Sequence, residues 1–517
     1  MDKTLIVDTI YLRITTGSHY FCIDKIDVRA RRVIADFSKK YIVFDYVRVD
    51  GQQIYTAVAV YGSATHTRDN YHFHIVQLNE FLERWRLAGF DLDKIMFVKK
   101  DEYKPTQIQF NMSDRIQARE YQTRMIEYST NPTPNTRKLI RLQTGKGKSA
   151  VAMMVAKAIG YRTAIVVHPK YVQQWVNDLL RSTDLKADDI LVPKSGKELM
   201  ATLQKASNEG LKEKFIIIST RLLINWIKAW ELNPDFVKEL GWVCDPEDFL
   251  QSLGVGFMIR DEVHAEFHMG FRISTYVNVP WNLDLTATLT SSDQLAVKMM
   301  NMVYPVEERS PELDYTRYVN VKALHYSIRD MNGIRFKDAI TKSYSHNLFE
   351  RSMIQKSPKT FYRMQEMLND AVDLYYYRYR KPGEKCLIYC ASILMCTKLT
   401  DYFKVKYPSL KIGRFVEDDG IEVLTDSDII VSTILSCGTG KDIAGLITVI
   451  LQNSINSEVA NLQSIGRLRE IETPNPLTFV YYFCKDIAKQ REYHEKKKLL
   501  LHRRAKSYVV ENAGFDL

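Results

Sequence analysis

No apolar run in this 517-residue chain approaches the roughly 18 residues that a membrane-spanning helix needs. Met1-Asp2-Lys3-Thr4-Leu5 leads into no signal-peptide core. A cytoplasmic protein with no membrane partner is therefore expected, and a monomer. Cysteine is scarce: seven residues, at 22, 244, 386, 390, 396, 437 and 484, an odd number without a CxxC pair. That excludes a disulfide framework. Cys386, Cys390 and Cys396 cluster, but the nearest histidine is His346, so buried thiols in a strand and a helix are expected there rather than a metal site. Acidic residues are the minority charge, 62 Asp/Glu against 72 Lys/Arg, and the net +10 hints at a polyanionic partner. From Lys485 to Lys506 there are nine Lys/Arg against three Asp/Glu, so much of the surplus sits near the C-terminus. With 45% hydrophobic and 26% charged residues the chain is of globular type. It is too long for one core, and about two to four domains are expected.

One stretch organises the rest. Leu142-Gln143-Thr144-Gly145-Lys146-Gly147-Lys148-Ser149 lies between the apolar lead-in Lys138-Leu139-Ile140-Arg141 and an uncharged run, Ala150 to Ala156, that reads as a buried helix. Gly145 and Gly147 permit a tight turn whose N–H groups face phosphate oxygens, and the helix that follows aims its positive end at the same anion. Thr144, Gly145, Lys146, Gly147, Lys148 and Ser149 form the candidate nucleotide loop. Lys148 would reach the β/γ-phosphates and Ser149 would bind Mg²⁺. The full pattern wants Gly where Leu142 stands. A plain Gly-rich turn before a helix is the alternative.

Residues 1–105 read as a small accessory α+β domain. Period-two segments at Thr4–Ile14 and Tyr41–Val49 predict strands, and Gln77–Ala88 predicts a helix with Leu78, Phe81, Leu82 and Trp85 on one face. Arg29, Arg31, Arg32, Lys39 and Lys40 lie near Phe37 and Tyr41, a mixture that suits nucleic acid or a solvated strand edge. Gln122, in Arg119-Glu120-Tyr121-Gln122, could read adenine through its amide. Apolar strands then end at polar tips: Thr163–Val167 at His168-Pro169-Lys170, Phe215–Ile218 at Ser219-Thr220-Arg221, Val255–Ile259 at Arg260-Asp261-Glu262-Val263-His264, and Leu283–Leu285 at Thr286-Ala287-Thr288. Repeated with helices between, this predicts a parallel sheet whose site lies at the strands' carboxyl ends. The signal fades from about Pro305, and Tyr344–Tyr377 reads as a helical insertion. A second series follows: Cys386–Tyr389, Ile429–Val431 running into Ser432-Thr433, and Ile447–Leu451, with Gly438-Thr439-Gly440-Lys441-Asp442 and Gln463-Ser464-Ile465-Gly466-Arg467-Leu468-Arg469 among them. From Ile487 onward a basic helix is expected.

In this order the pieces resemble the superfamily 2 helicases, over roughly residues 115–470. Gln122, the phosphate loop, Pro169 with Gln174-Trp175, Thr220, Asp261-Glu262-Val263-His264, Thr286-Ala287-Thr288, Thr433, Gly440-x-Asp442 and Gln463-x-x-Gly466-Arg467 carry the resemblance. Within that superfamily the chain resembles the phage branch-migration helicases of the UvsW type. Many relatives have Ala or Gly where Leu142 stands. Relatives usually carry a second arginine at the position of Glu470; here the arginine is Arg469.

The resemblance implies an α/β fold of two tandem RecA-like domains, 106–305 and 306–484, with the insertion at 344–377 and a basic C-terminal helix at 485–517. It implies ATP and Mg²⁺. Asp261 would hold the metal with Ser149, and Glu262 would orient and deprotonate the attacking water. Arg467 would approach the γ-phosphate, with Arg469 a second arginine; Gly440 and Asp442 would line the nucleotide cleft. His264, Thr286, Thr288 and Gln463 would couple the nucleotide to the nucleic acid. Pro169, Lys170, Thr220, Arg221, Ser392 and Thr433 would grip its phosphates without reading base sequence.

The expected activity is ATP-driven translocation or unwinding on DNA, with forks, junctions and displaced loops as targets, in the cytoplasm (the host's, if the chain is phage-encoded). RNA is not excluded: an RNA helicase or a transcript-release translocase would share these motifs. The motor subunit of a nuclease, or a nucleotide-switched binding protein, are the other readings. Removing residues 1–105 is expected to weaken branched-substrate binding while sparing basal ATP hydrolysis.

Overall fold

Parallel strands need long crossovers and bury both faces, so they read as short continuous apolar runs joined by helices. The computed structural model bears this out over residues 10–49, 52–132, 137–142, 145–287, 289, 293–311, 317–417, 419–437, 443–471, 473–502 and 504–517, which are the residues it describes. Thr144, Thr288, Gly440 and Asp442 lie outside them, as does the start of the strand expected at Thr4–Ile14. The chain divides into two units, Met1–Glu312 and Leu313–Leu517.

The first unit opens with β1 (Leu12–Thr16), β2 (Tyr20–Asp24), α1 (Val28–Lys39), β3 (Ile42–Val49), β4 (Gln52–Val60), β5 (Ser63–Ala64), β6 (Tyr71–His74), α2 (Leu78–Leu87) and β7 (Ile95–Lys99). These give a mixed sheet in the order β5-β6-β2-β1-β7 and a separate two-stranded β3-β4 pair. The basic cluster, read as a nucleic-acid surface or a solvated strand edge, lies on a helix, α1, and just after it, where Ala30, Ile34 and Phe37 face inward and the cations outward.

The remainder of this unit is α3 (Glu120–Thr130), β8 (Arg137–Arg141), α4 (Lys148–Ile159), β9 (Thr163–Val167), α5 (Val172–Ser182), β10 (Ile190–Leu191), α6 (Gly196–Asn208), β11 (Phe215–Ser219), α7 (Thr220–Leu232), α8 (Pro234–Glu239), α9 (Phe249–Ser252), β12 (Phe257–Arg260), α10 (Phe267–Ser274), β13 (Trp281–Thr286) and α11 (Gln294–Val303). Its sheet, in the order β10-β11-β9-β12-β13-β8, is parallel throughout. α4 stops at Gly160, whose φ of +72° suits a residue without a Cβ.

The N-terminal module is not a separable appendage. Its core residues Leu12, Phe21, Phe73 and Trp85 belong to one cluster with Leu139 of β8, Phe267 and Phe271 of α10, and Met299 and Met300 of α11. The Tyr61 ring meets Phe271 edge-on at 5.1 Å. His72, fully buried, bonds Glu247 at 2.8 Å. The module expected as an accessory domain thus shares its core with β8, α10 and α11.

The second unit contains β14 (Val319–Ser327), α12 (His346–Lys356), α13 (Pro358–Val372), β15 (Lys385–Cys390), α14 (Ile393–Lys406), β16 (Ile412–Phe415), α15 (Glu422–Asp426), β17 (Ile429–Thr433), α16 (Ile434–Cys437), β18 (Leu446–Leu451), α17 (Glu458–Ile465), β19 (Leu477–Cys484), α18 (Ala488–His502) and β20 (Ser507–Asp516). The sheet order is β16-β17-β15-β18-β19-β14-β20, again parallel. α12 and α13 occupy the expected helical insertion, and their inner faces, Phe349, Met353, Met364 and Leu368, are part of the main core. The C-terminal helix ends at His502, earlier than expected. Ser507–Asp516 joins the sheet as its edge strand because it pairs with β14. The fold is thus two tandem RecA-like α/β sheets with a small mixed sheet at the N-terminus.

Candidate functional site

β8, β9, β11, β12 and β13 all deliver their carboxyl ends to one rim of the first sheet. The phosphate loop follows β8. Gly145 and Gly147 adopt φ of +87° and +77°, and a Cβ on Gly147 would stand 2.6 Å from the Gln122 amide nitrogen. Glycine at 147 is therefore required twice, by backbone conformation and by space. Gln122 Nε2 and the Tyr121 hydroxyl each donate to the Lys146 carbonyl at 3.1 Å, and Gln122 Oε1 accepts from the Arg119 N–H at 2.9 Å. Each end of the Gln122 amide thus makes one bond that fixes the loop and its own helix, and a second N–H and lone pair remain for the adenine contact expected of it.

Lys148 begins α4, and its Nζ donates to Glu262 Oε1 at 2.7 Å. The two side chains are only 10% and 19% exposed, so the pair is largely shielded from solvent. Glu262 has a left-handed φ of +50° and Glu266 one of +53°, a strain of about 1 kcal/mol or more each, of the kind that gathers at functional sites. Asp261 accepts from the Trp175 indole at 3.0 Å and from the Glu262 N–H at 2.8 Å. Burial, reinforced by the neighbouring Glu262 carboxylate, pushes the Asp261 carboxyl up to about 6. Burial also works to raise Glu262, but the Lys148 ammonium and His264 outweigh it and hold that carboxyl below its usual range. Burial lowers His264, whose Nδ1 lies 2.9 Å from Thr286 Oγ1 and 3.3 Å from Glu262 Oε2. The order Lys148, Glu262, His264, Thr286 thus forms one contiguous polar chain across three strand ends.

Several contributors were not singled out from sequence. Arg260, just before Asp261, makes a bidentate buried pair with Asp284 of β13 at 2.7 and 2.5 Å, and the Tyr304 hydroxyl donates to Asp284 at 2.6 Å. This locks β12, β13 and the end of α11 beneath the acidic turn. Asp178 of α5 receives hydrogen bonds from the Ser149 and Gln174 side chains. Their only sequence signal is a charge at the end of an apolar strand or on an inward helix face, which a single chain cannot distinguish from solvent exposure.

The residues expected to grip phosphate divide. Lys170 and Arg221 are exposed at the rim, and Pro169 and Thr220 are half-buried there. In the second unit Ser392 is 3% exposed, and its hydroxyl donates to Glu350 at 2.6 Å while accepting from the Met395 N–H to cap α14. Glu350 also accepts the Ala391 and Ser392 N–H groups at 2.8 and 2.7 Å. Burial raises the Glu350 carboxyl to about 7. Ser392 is therefore a buried cap, which corrects its expected contact with nucleic acid. Thr433 Oγ1 lies 2.9 Å from Ser436 Oγ at the start of α16. Gln463 is half-buried on α17; Arg467 is 3% exposed and hydrogen-bonded to the Tyr389 side chain, and Arg469 is half-buried. Among the described residues no three His, Cys, Asp or Glu side chains converge as metal ligands, and no helix is long and apolar enough to cross a membrane.

Residues 115–291 match the family described as type III restriction enzyme, res subunit. No curated protein sequence matches the chain. Among solved structures, an ATP-dependent Type ISP restriction-modification enzyme, LlaBIII, bound to DNA aligns with TM-score 0.51 at 12% identity, over 82% of this chain and 34% of that one. The chain thus spans about a third of that enzyme's length. The Pyrococcus furiosus Hef helicase domain aligns at 0.45 and 14% identity, over 75% of this chain and all of that one. T4 UvsW aligns at 0.32 and 13% identity, over 97% and 99%. The LlaBIII likeness shows a shared fold. Residues 115–291 are thus similar to a restriction-enzyme res subunit, and this segment holds the phosphate loop and the Asp261-Glu262-Val263-His264 turn on a RecA-like sheet.

Proposed function

We propose that the protein hydrolyses ATP to move along nucleic acid, and that its substrate is branched DNA. The observation that carries this reading is the convergence of Lys148, Ser149, Asp261 and Glu262 at the carboxyl rim of one parallel sheet, with Lys148 and Glu262 in direct contact. Phosphoryl transfer needs placed charge and an oriented water more than covalent chemistry. Lys148 is the phosphate ligand, and a triphosphate entering the loop would draw it from Glu262. The released Glu262 carboxylate, held ionised, is then placed to orient and deprotonate water.

Asp261 and Ser149 fit Mg²⁺: a buried carboxyl pushed upward is one that a cation would return to its ionised form. When bound, the metal would neutralise charge on the phosphates. Thr144, Gly440 and Asp442 retain the nucleotide-binding roles that the motif pattern implies, and Arg467 and Arg469 that of arginines acting on the γ-phosphate. His264, Thr286, Thr288 and Gln463 keep the coupling role. Lys170 and Arg221, with Pro169, Thr220 and Thr433, contact the sugar-phosphate chain. The preference for branched DNA rests on the resemblance of the domain arrangement to the branch-migration helicases and on the basic cluster of the N-terminal module. Roles in recombination, repair or replication restart would follow from such a substrate.

The test is ATP turnover by the purified chain with forked DNA, single-stranded DNA and RNA of equal length. Stimulation greatest with the fork supports the reading; stimulation by RNA alone would replace it with an RNA motor.

A further inference from the structure

The β3-β4 pair stands apart from the five-stranded sheet of its module. Two-stranded hairpins are marginal in water unless one face is covered, yet this one shows aromatic rings to solvent: Phe44 is 49% exposed, Tyr46 64% and Tyr55 61%. Register places Tyr46 opposite Tyr55 and Phe44 opposite Ala57, so the three rings share one face. They form a short column, Phe44 on Tyr55 at 5.6 Å with planes 24° apart and Tyr46 on Tyr55 at 4.9 Å. Nothing in the ATP site calls for them.

The surroundings indicate the occupant. α1 runs directly into β3, and from Asp27 to Lys40 there are five cations against two carboxylates, with Arg29 paired to Asp27 and Lys40 to Glu80. Arg32 and Lys39 have side chains 93% and 73% exposed, and their one shared carboxylate, Asp36, is itself exposed. Exposed cations on the helix that leads into a hairpin carrying an open column of rings match the two halves of a nucleotide: phosphates for the cations, a base for the rings. Two of the three rings are tyrosines, whose hydroxyls tolerate water when no base is present.

The hairpin is also anchored to the motor. Its base is closed by the Tyr61 N–H donating to the Tyr41 carbonyl at 2.9 Å. Tyr61 follows β4 and is buried against Phe267 and Phe271 of α10. α10 begins five residues after Glu262. A load on the hairpin therefore bears on the helix that follows the acidic turn.

We infer that the Phe44-Tyr46-Tyr55 face of the β3-β4 hairpin is a base-stacking site that takes unpaired nucleotides beside a duplex end, with the α1 cations on the adjoining phosphates. This rests on the nucleic-acid motor proposed above and deepens it by naming the element that meets the bases.

The test uses the full chain and forked DNA carrying 2-aminopurine at the first unpaired position, with an RNA fork of the same sequence as a second arm. Wild type should quench the probe's fluorescence, and the quenching arm identifies the sugar. Combined Phe44→Ala, Tyr46→Ala and Tyr55→Ala substitution should remove the quench and weaken fork binding about 10-fold, at about 1–3 kcal/mol per stacked base. Its circular dichroism melt should match wild type, because the rings are exposed. Tyr46→Phe with Tyr55→Phe should keep the quench. An Ala variant that quenches and binds the fork like wild type overturns the inference and leaves the proposed motor intact. A wild type that binds neither fork removes both.

Discussion

Lys148 and Glu262 are 114 residues apart in sequence and ion-paired at 2.7 Å. On the proposed mechanism, the lysine that would bind phosphate holds the residue assigned to the water until a nucleotide separates them. Lys148 helps hold the Glu262 carboxyl below its usual range in a site largely closed to solvent. Lys148→Ala should weaken nucleotide binding and lower turnover by at least 100-fold. It should also leave the Glu262 carboxylate without its main counter-charge, raising its ionisation pH; a pH titration of residual activity would show this.

Asp261→Asn tests the metal site from the side of stability. The folded protein holds this carboxyl up at about 6, above its ordinary value of 3.8. A raised carboxyl contributes stability that is present below the unfolded value and lost as pH rises through the folded one. Without nucleotide or metal, the asparagine variant should therefore melt higher than wild type at pH 7.5, and the difference should shrink towards pH 4. Mg²⁺ with a non-hydrolysable ATP analogue should raise the wild-type melting temperature and leave the variant's nearly unchanged.

Lys497 on α18 is 2% exposed, its ammonium 4.5 Å from the Tyr481 ring centroid, and burial lowers it to about 7 from 10.5. The unfolded chain therefore binds this proton more readily across pH 7 to 10.5, and stability rises with pH over that window. Lys497→Met should stabilise the fold by a few kcal/mol, roughly 1–4 on the precedent of buried charges replaced by apolar groups. The gain should be larger at pH 6.5 than at pH 9.5 in urea melts, and nucleic-acid affinity should change less than twofold.

Much of the motor could be read from the chain. β9 and β11 lie almost where their apolar runs predicted, since buried parallel strands advertise themselves in the first few residues. β14, β19 and β20 could not be placed, because their evidence is mutual: β14 pairs with β19 and β20, more than 150 residues away. The same holds at the site. Lys148, Asp261 and Glu262 announce themselves by local spacing, whereas Arg260–Asp284 and Glu350–Ser392 are charges paired only by tertiary proximity. Sequence alone shows each as a polar residue in or beside an apolar element, and for Ser392 that suggested a phosphate where the structure has Glu350.

Removal of residues 1–105 should not yield a working motor. The cut would expose Leu139, Phe267, Phe271, Met299 and Met300, which share a core with that module. The truncated chain should aggregate or melt far below the intact one, and basal ATP hydrolysis should be lost with the fold. A soluble 106–517 fragment with unchanged basal turnover would show that the shared core is dispensable.

On the function proposed above, Glu262 performs the hydrolytic step in a nucleic-acid-dependent ATPase. The most direct measurement is ATP turnover at saturating forked DNA for wild type and Glu262→Gln, alongside nucleotide affinity. The expected result is stimulation of the wild type, loss of turnover by at least 100-fold in the variant, and nucleotide affinity within a few-fold. Wild-type turnover in Glu262→Gln, or a wild type indifferent to every nucleic acid, would contradict it.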